Sequence, residues 1–315
     1  MILTVTANAS IDKRAVASRA VPGAVNRIRE CTYSAGGKGL NVSRAIRIAG
    51  ADVVATGFLA GHAGRYIAEK LAEENIPADF VWIPGETRSC LNIWDEEKQE
   101  TTEYLEPGPA CTAEDGQRLL GKIRTYTEGE RRAEIITVSG SVPQGCSAGL
   151  YREIVRIGTD RGIRIFLDTS GKLLEGSLEG DAQPFLIKPN LDEIRMLTGR
   201  ETLQAGEISE AAEVLHRKGI EAVVISLGAE GAVLSCPQGL YQAHVPEVAA
   251  VNTVGCGDTM VGGLAVAVSR GESLPEALRF ASAVSAAAAM TERTGFYRLS
   301  DMEKMLGRIE IRQIG

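Results

Sequence analysis

The residues with the clearest chemical content lie in Val251–Val268, V-N-T-V-G-C-G-D-T-M-V-G-G-L-A-V-A-V. Two glycines bracket Cys256, an acid follows at Asp258, and a run of small apolar residues begins directly after. Glycines just before a helix let the backbone turn sharply and leave its first N–H groups unpaired. With the positive end of the helix dipole, those groups form an anion site. Asp258 falls in the first helical turn, where its charged form is favoured. Donors beside an ionised carboxylate suit transfer of a phosphoryl group to an alcohol. The donors hold the moving group and the acid takes the hydroxyl proton. A glycine-rich turn capped by an aspartate has the same letters, and this stretch alone does not separate the two readings.

A second cluster is Ser34–Val42, S-A-G-G-K-G-L-N-V. Three glycines and Lys38 precede a helix with apolar residues at Leu40, Ala45, Ile46, Ile48 and Ala49, and Gly50 reads as its stop. Such a loop brings backbone close to a ligand, and Lys38 adds a charge for a phosphate. It is not a Walker A loop, because G-x-x-x-x-G-K-[ST] is absent. Asp12 follows the first strand and can accept hydrogen bonds from sugar hydroxyls; a plain turn aspartate is the simpler alternative. Val25–Tyr33 alternates like a strand of a hairpin and puts Arg27 and Arg29 on one face.

The elements that must carry these residues are legible in outline. Strands are expected at Ile2–Thr6, Asp52–Phe58, Glu134–Ser139, Ile163–Asp168, Pro184–Lys188 and Ala222–Ser226, with a hairpin over Ala232–Val245. Helices are expected near His62–Glu74, Ala148–Thr159, Ile208–Lys218 and Ala277–Met290. Strands alternating with helices imply a doubly wound, mostly parallel α/β sheet covered on both faces. Nearly every strand ends in polar or glycine residues, and such a sheet binds ligands along that edge. Two stretches break the rhythm. Residues 10–34 and 79–107 read as a β-rich lid across the edge, and 1–9, 35–78 and 108–315 as the core. Trp82 and Trp94, the chain's only tryptophans, fall in the second stretch. Its greasy face packs either on a partner subunit or on its own domain.

The bulk numbers narrow the field. At 315 residues the chain can bury a sizeable core. A net charge of −7 argues against a general nucleic-acid or anionic-membrane surface, so a phosphate ligand needs a local basic cluster. The six cysteines show no C-x-x-C pairing and there are three histidines, which reads as reduced thiols without a zinc site. The start is apolar too briefly for a signal peptide and lacks a basic lead, and no apolar run reaches membrane-spanning length. A cytoplasmic protein is expected.

With G-G-K-G-L-N and N-T-V-G-C-G-D both present, in order and about two hundred residues apart, the chain resembles the phosphofructokinase-B (ribokinase-like) carbohydrate kinases over essentially its whole length. Within the family it is most similar to the phosphosugar branch, which acts on tagatose 6-phosphate or fructose 1-phosphate. M-I-L-T-V-T-x-N-x-S-I-D, V-N-R, A-G-G-K-G-L-N-V-S-R, G-E-T-R-S-C and E-P-G-P lean toward the former; S-G-S-V-P-Q-G fits either.

The resemblance implies ATP-dependent conversion of a ketohexose monophosphate to the bisphosphate. It implies Asp258 as catalytic base and the N–H groups of Gly255, Cys256 and Gly257 as the anion hole. It implies that Asp12, Gly37 and Asn41 hold sugar hydroxyls. Lys38, Arg88 and Arg27 become candidates for the phosphate already on the sugar, with Ser139 nearby. Lys188, Ser226, Gly228 and Gly231 match nucleotide-contacting positions. Asn190 and Glu193 match an N-x-x-E motif that places Mg²⁺, indirectly, with the ATP phosphates. A homodimer through the lid is also implied. Two rivals use the same scaffold: a sugar-phosphate sensor that has lost catalysis, and a kinase for ribose or a nucleoside. The intact G-C-G-D and N-L-D-E motifs oppose the first; the basic set Arg27, Lys38 and Arg88 opposes the second.

This sequence departs from the family pattern at Ala9, where proline is usual, and at Cys256, where alanine or serine is commoner. A small thiol suits a position whose backbone does the work. A helix N-terminus can also lower a thiol's pKa and sensitise it to oxidants.

Overall fold

A computed structural model describes residues 1–199 and 205–314. The chain opens with β1 (Ile2–Thr6), β2 (Ser10–Ala17), β3 (Glu30–Gly36), α1 (Lys38–Ile48), β4 (Val53–Leu59) and α2 (Gly61–Glu73). Then come β5 (Val81–Trp82), β6 (Arg88–Asp95), β7 (Glu100–Leu105), α3 (Ala113–Thr125), β8 (Ile135–Ser139), α4 (Leu150–Thr159) and β9 (Arg164–Asp168). They lead to α5 (Gly171–Ser177), β10 (Leu186–Ile187), α6 (Leu191–Thr198), α7 (Ala205–His216) and β11 (Ala222–Ser226). The hairpin β12 (Ala232–Cys236) and β13 (Gly239–His244), then α8 (Cys256–Ser269), α9 (Leu274–Ala289), α10 (Leu299–Leu306) and β14 (Glu310–Gln313) finish it.

Among the described residues, ten strands form one sheet in the order β14-β13-β12-β11-β10-β9-β8-β1-β4-β5. Neighbours from β11 to β5 are parallel, and β12, β13 and β14 add an antiparallel edge. The order of connection reverses between β8 and β1, which is where a doubly wound sheet opens its binding crevice. Alternation along each strand feeds two cores. Ile2 faces the core shared with α1, α8 and α9; Leu3 and Val5 face the one shared with α3 and α4.

Small residues on α8 draw its neighbours close. A β-carbon on Gly262 would lie 2.7 Å from Ala45 Cβ on α1, and one on Gly263 would lie 2.7 Å from Ala281 Cα on α9. Gly262 therefore sets how near α8 comes to α1, and Gly263 how near it comes to α9. Thr4 on β1 and Ser43 on α1 share a 2.6 Å hydroxyl hydrogen bond that pins the same helix to the sheet.

The second sheet has the order β3-β2-β6-β7. Three features differ from the sequence expectations. The strand expected from Val25 begins at Glu30, and Arg27 lies exposed outside it. Asn26 explains this: its side chain accepts from Val21 N–H and donates to Val21 C=O, holding residues 21–26 in a turn that competes with a ladder. Asp12 is not in a loop past β1 but inside β2, because the chain re-enters a strand at Ser10. Finally, Val81 and Trp82 pair with β4 at the edge of the large sheet, so Trp82 and Trp94 belong to different sheets.

Candidate active site

The C-terminal strand ends and two helix starts converge. Gly255, the residue before α8, is left-handed at φ 81°, and a β-carbon there would meet Thr294 Cγ2 at 2.8 Å. The turn therefore requires glycine twice over, for its angle and for its space. Cys256 N–H bends back to the Thr253 carbonyl at 3.3 Å. Of the three amides expected to face an anion, that one is engaged within the turn.

Asp258 follows, 6% exposed, and its Oδ2 accepts from Asn41 Nδ2 at 2.8 Å. Burial, and then the charge of Asp168, push its pKa up to about 6, against the pull of Lys38, the Asn41 hydrogen bond and Lys188. A carboxylate tuned upward but still ionised at neutral pH is a competent proton acceptor.

Asp168, the last residue of β9, is 2% exposed. Lys188 Nζ lies 3.4 Å from its Oδ1 and Lys38 Nζ 3.7 Å from its Oδ2, while neither oxygen receives a hydrogen bond. Lys38 is raised above the ordinary lysine value by Asp168 first, against desolvation, with Asp258 and Glu193 adding to the rise. Lys38 thus stands in the acid-bearing centre. At the end of β8, Ser139 is buried with its hydroxyl unpartnered.

Next along the edge, Asn190 and Glu193 cap α6 reciprocally: Asn190 Oδ1 accepts from Glu193 N–H at 2.8 Å and Glu193 Oε2 from Asn190 N–H at 2.9 Å. The N-x-x-E motif is therefore at least a capping box. Ser226 donates its N–H to the Pro189 carbonyl at 3.1 Å, which seats the end of β11 beside that cap. Gly228, with φ 62°, opens a short helical turn, and Gly231 presses on the Ala243 carbonyl, 2.1 Å from where a β-carbon would sit.

On the other side, Asp12 lies over Gly36, where a β-carbon would fall 2.1 Å from the carboxyl carbon. Ser10 Oγ donates to Asp12 Oδ1 at 2.6 Å. Burial raises the Asp12 pKa against Ser10, Arg88, Arg44 and the Gly37 amide. Gly37 precedes α1 at φ 104°. Arg88 crosses between the sheets, with Nε and Nη2 on the Asn8 carbonyl at 3.2 and 3.0 Å and Nη1 on the Glu106 carbonyl at 3.3 Å.

Between the small sheet and the core opens a cleft of about 420 Å³, with Asp12, Lys13, Arg14 and Trp94 on one wall and Asn252, Arg293 and Thr294 on the other. Sequence reasoning missed Asp168, although its position at a strand end was a usable signal. It also missed Lys13, Arg14 and Arg293, for which no local pattern exists. Burial and then Asp258 push the Cys256 thiol up to about 11, which weighs against the reactive reading of that residue.

No group of three or more His, Cys, Asp or Glu able to cage a metal occurs among the described residues. Glu193 in the first turn of α6 is a carboxylate of the kind that holds Mg²⁺ together with substrate phosphates.

A buried acid at a helix start, two lysines on a second acid and a cleft under a small sheet equip the chain to move a phosphoryl group onto a small molecule. The chain belongs to the pfkB family of carbohydrate kinases, whose model matches residues 3–299. It is 34% identical to tagatose-6-phosphate kinase of Staphylococcus epidermidis over 315 residues, the full length of both. Phosphofructokinase-2 of Escherichia coli, solved in complex with potassium, superposes with a TM-score of 0.91 at 29% identity, covering 98% of each chain. A Thermotoga maritima protein described as a possible 1-phosphofructokinase superposes at 0.89 with 27% identity, covering 100% of each. The chain is an ATP-dependent sugar phosphotransferase. Among the described residues no helix is long and apolar enough to cross a membrane.

Proposed function

We propose that the chain phosphorylates a ketohexose monophosphate, with tagatose 6-phosphate as the first candidate. The observation that carries the reading is the Asn41-held carboxylate of Asp258 at the mouth of α8, beside a cleft bearing Lys13, Arg14 and Arg293. The full-length likeness to a tagatose-6-phosphate kinase supports the sugar. The Thermotoga neighbour supports fructose 1-phosphate as the second candidate.

In this reading the sugar lies in the cleft, with hydroxyls on Asp12, Asn41 and the backbone at Gly37. Its own phosphate meets Arg88, Lys13, Arg14 and Arg293. Arg27 joins that set only if the exposed loop carrying it folds inward or reaches a second copy's cleft. Asp258 accepts the proton of the attacking hydroxyl. The amides of Gly255 and Gly257, with Lys38 and Lys188, stabilise the travelling phosphoryl group, while the Cys256 N–H, turned back to the Thr253 carbonyl, shapes the turn that presents them. ATP lies along Lys188, Asn190, Ser226, Gly228 and Gly231. Glu193 would hold Mg²⁺ indirectly, and the ion would neutralise phosphate charge there. Ser139, with its unpartnered buried hydroxyl at the end of β8, stands in register with Asp168 beside the transfer centre.

The strands of residues 10–34 and 88–105 act as the lid. The exposed Tyr33 and Tyr104, which share a row across the small sheet, mark the face on which a homodimer would form. The cytoplasm is the compartment that supplies ATP and phosphosugars.

The deciding experiment is a coupled ADP-release assay over tagatose 6-phosphate, fructose 1-phosphate, fructose 6-phosphate and the free sugars. The reading expects the highest kcat/KM on tagatose 6-phosphate and negligible turnover of the free sugars. Efficient use of a free sugar overturns it.

A further inference from the structure

Arg44 lies one helical turn beyond Asn41 on α1 and is 2% exposed. Four hydrogen bonds hold its guanidinium. Nη1 donates to Asn41 Oδ1 at 3.1 Å and to the Thr294 carbonyl at 3.4 Å, Nη2 to the Ala35 carbonyl at 2.9 Å, and Nε to Glu74 Oε2 at 2.9 Å. Gly295 closes on Asn41 from the other side, where a β-carbon would lie 2.5 Å from Oδ1. Glu74 also pairs with Arg293, a wall residue of the cleft.

The two ends of an asparagine amide are alike in shape and opposite in chemistry. Only the NH₂ end can serve a carboxylate. A guanidinium carries donors and no acceptor, so Arg44 tolerates only the oxygen of Asn41 on its side. The reversed amide would set donor against donor at Arg44 and acceptor against acceptor at Asp258. Both faults would be buried, where an unmet polar group is costly.

We propose that Arg44 is a positioning residue that fixes the Asn41 amide with its NH₂ on Asp258, and so holds the base and the Thr294 wall of the cleft in one frame. This rests on Asp258 being the base. The other charged or titratable groups around Asp258 are Lys38 on α1, Asp168 on β9, Lys188 after β10 and Cys256 on α8. None of them contacts the Asn41 oxygen.

The test uses full-length Arg44→Met, Arg44→Lys, Glu74→Gln and Asp258→Asn proteins. Each is assayed from pH 5 to 9 with the best phosphosugar of the ADP-release assay, beside thermal melts. Lysine keeps the charge that faces Glu74 and Asp12 but cannot span four acceptors. A lost Asn41 donor leaves Asp258 harder to ionise, so the acid limb of kcat/KM should move to higher pH. A base displaced by about an ångström should lower kcat on the order of 10²-fold. KM for ATP should hold. Arg44→Lys should shift the limb even if Arg44→Met fails to fold, and Glu74→Gln, which loosens the far anchor of Arg44 together with Arg293 but leaves the Arg44–Asn41 bond, should shift it less. An unmoved acid limb in folded Arg44→Lys, whether kcat falls or not, overturns the proposal. Asp258→Asn separates the two claims. Near wild-type turnover there defeats the base itself, whereas an inactive Asp258→Asn beside unmoved Arg44 variants defeats only the positioning role.

Discussion

The ammonium of Lys188 lies 3.3 Å from where a β-carbon on Gly257 would sit. The same lysine pairs with Asp168 at 3.4 Å. Residue 257 is therefore bare so that a cation can stand directly over the first turn of α8. Gly257→Ala should push the ammonium aside, since a flexible side chain yields before the backbone does. Expected are a kcat lowered by about tenfold or more, of the order a misplaced group costs, and a melting temperature close to wild type. Kinetics and a thermal melt on one preparation check both.

The pH dependence follows from Asp258. Its ionised form is the acceptor, and burial lifts its pKa to about 6. Activity should therefore be flat above that value and fall as pH drops through it. The same shift carries a stability consequence of opposite sense. A carboxyl whose folded pKa exceeds its unfolded one binds more protons when folded, so stability declines as pH rises from the ordinary aspartate range toward 6. Asp258→Asn should cost roughly 10²–10⁴-fold in kcat while raising the melting temperature at pH 8. That gain should shrink as pH is lowered below the window.

Lys38 should behave as a residue of the transfer centre. It reaches Asp168, and the charge of Asp258 also favours its protonated form. Lys38→Ala should lower kcat, and by removing a cation it should move the acid limb upward. Arg88→Ala is expected to act chiefly on KM for the phosphosugar, because a contact remote from the chemistry contributes uniform binding. Assaying the two variants together tests the division: a Lys38→Ala defect confined to sugar KM would return that lysine to the substrate's phosphate.

Cys256 should be inert. Burial and the neighbouring Asp258 push its thiol up to about 11, which outweighs the helix end. Cys31, which is exposed, should alkylate first with iodoacetamide at pH 8, and Cys256 should stay unmodified while activity persists. Mass spectrometry of the peptides reads this directly. Cys256→Ser should retain most activity, since the backbone turn from the Cys256 N–H to the Thr253 carbonyl survives the change.

What the sequence determined by itself is local. β1, β11 and the β12–β13 hairpin appear where short β-branched runs and turn residues predict them. Both glycine motifs announce their helix starts, because φ above zero and close backbone approach leave few other residues possible. Where two local preferences compete, the text is harder to read. The alternation at Val25–Tyr33 loses to the turn that Asn26 closes on Val21. Val81–Trp82 is too short to declare which sheet it joins, and its partner β4 is more than twenty residues away.

Only the tertiary structure decides which charges meet. Asn41 and Asp258 stand 217 residues apart and share one hydrogen bond. Asp168 gathers Lys38 from one helix and Lys188 from a distant strand end. Arg44 looks like a surface residue of an amphipathic helix until Glu74, Ala35 and Thr294 are folded around it. Spacing along a chain records the geometry of single turns, whereas burial, and with it the strength of every charge in this site, exists only after the sheet has brought its strand ends together.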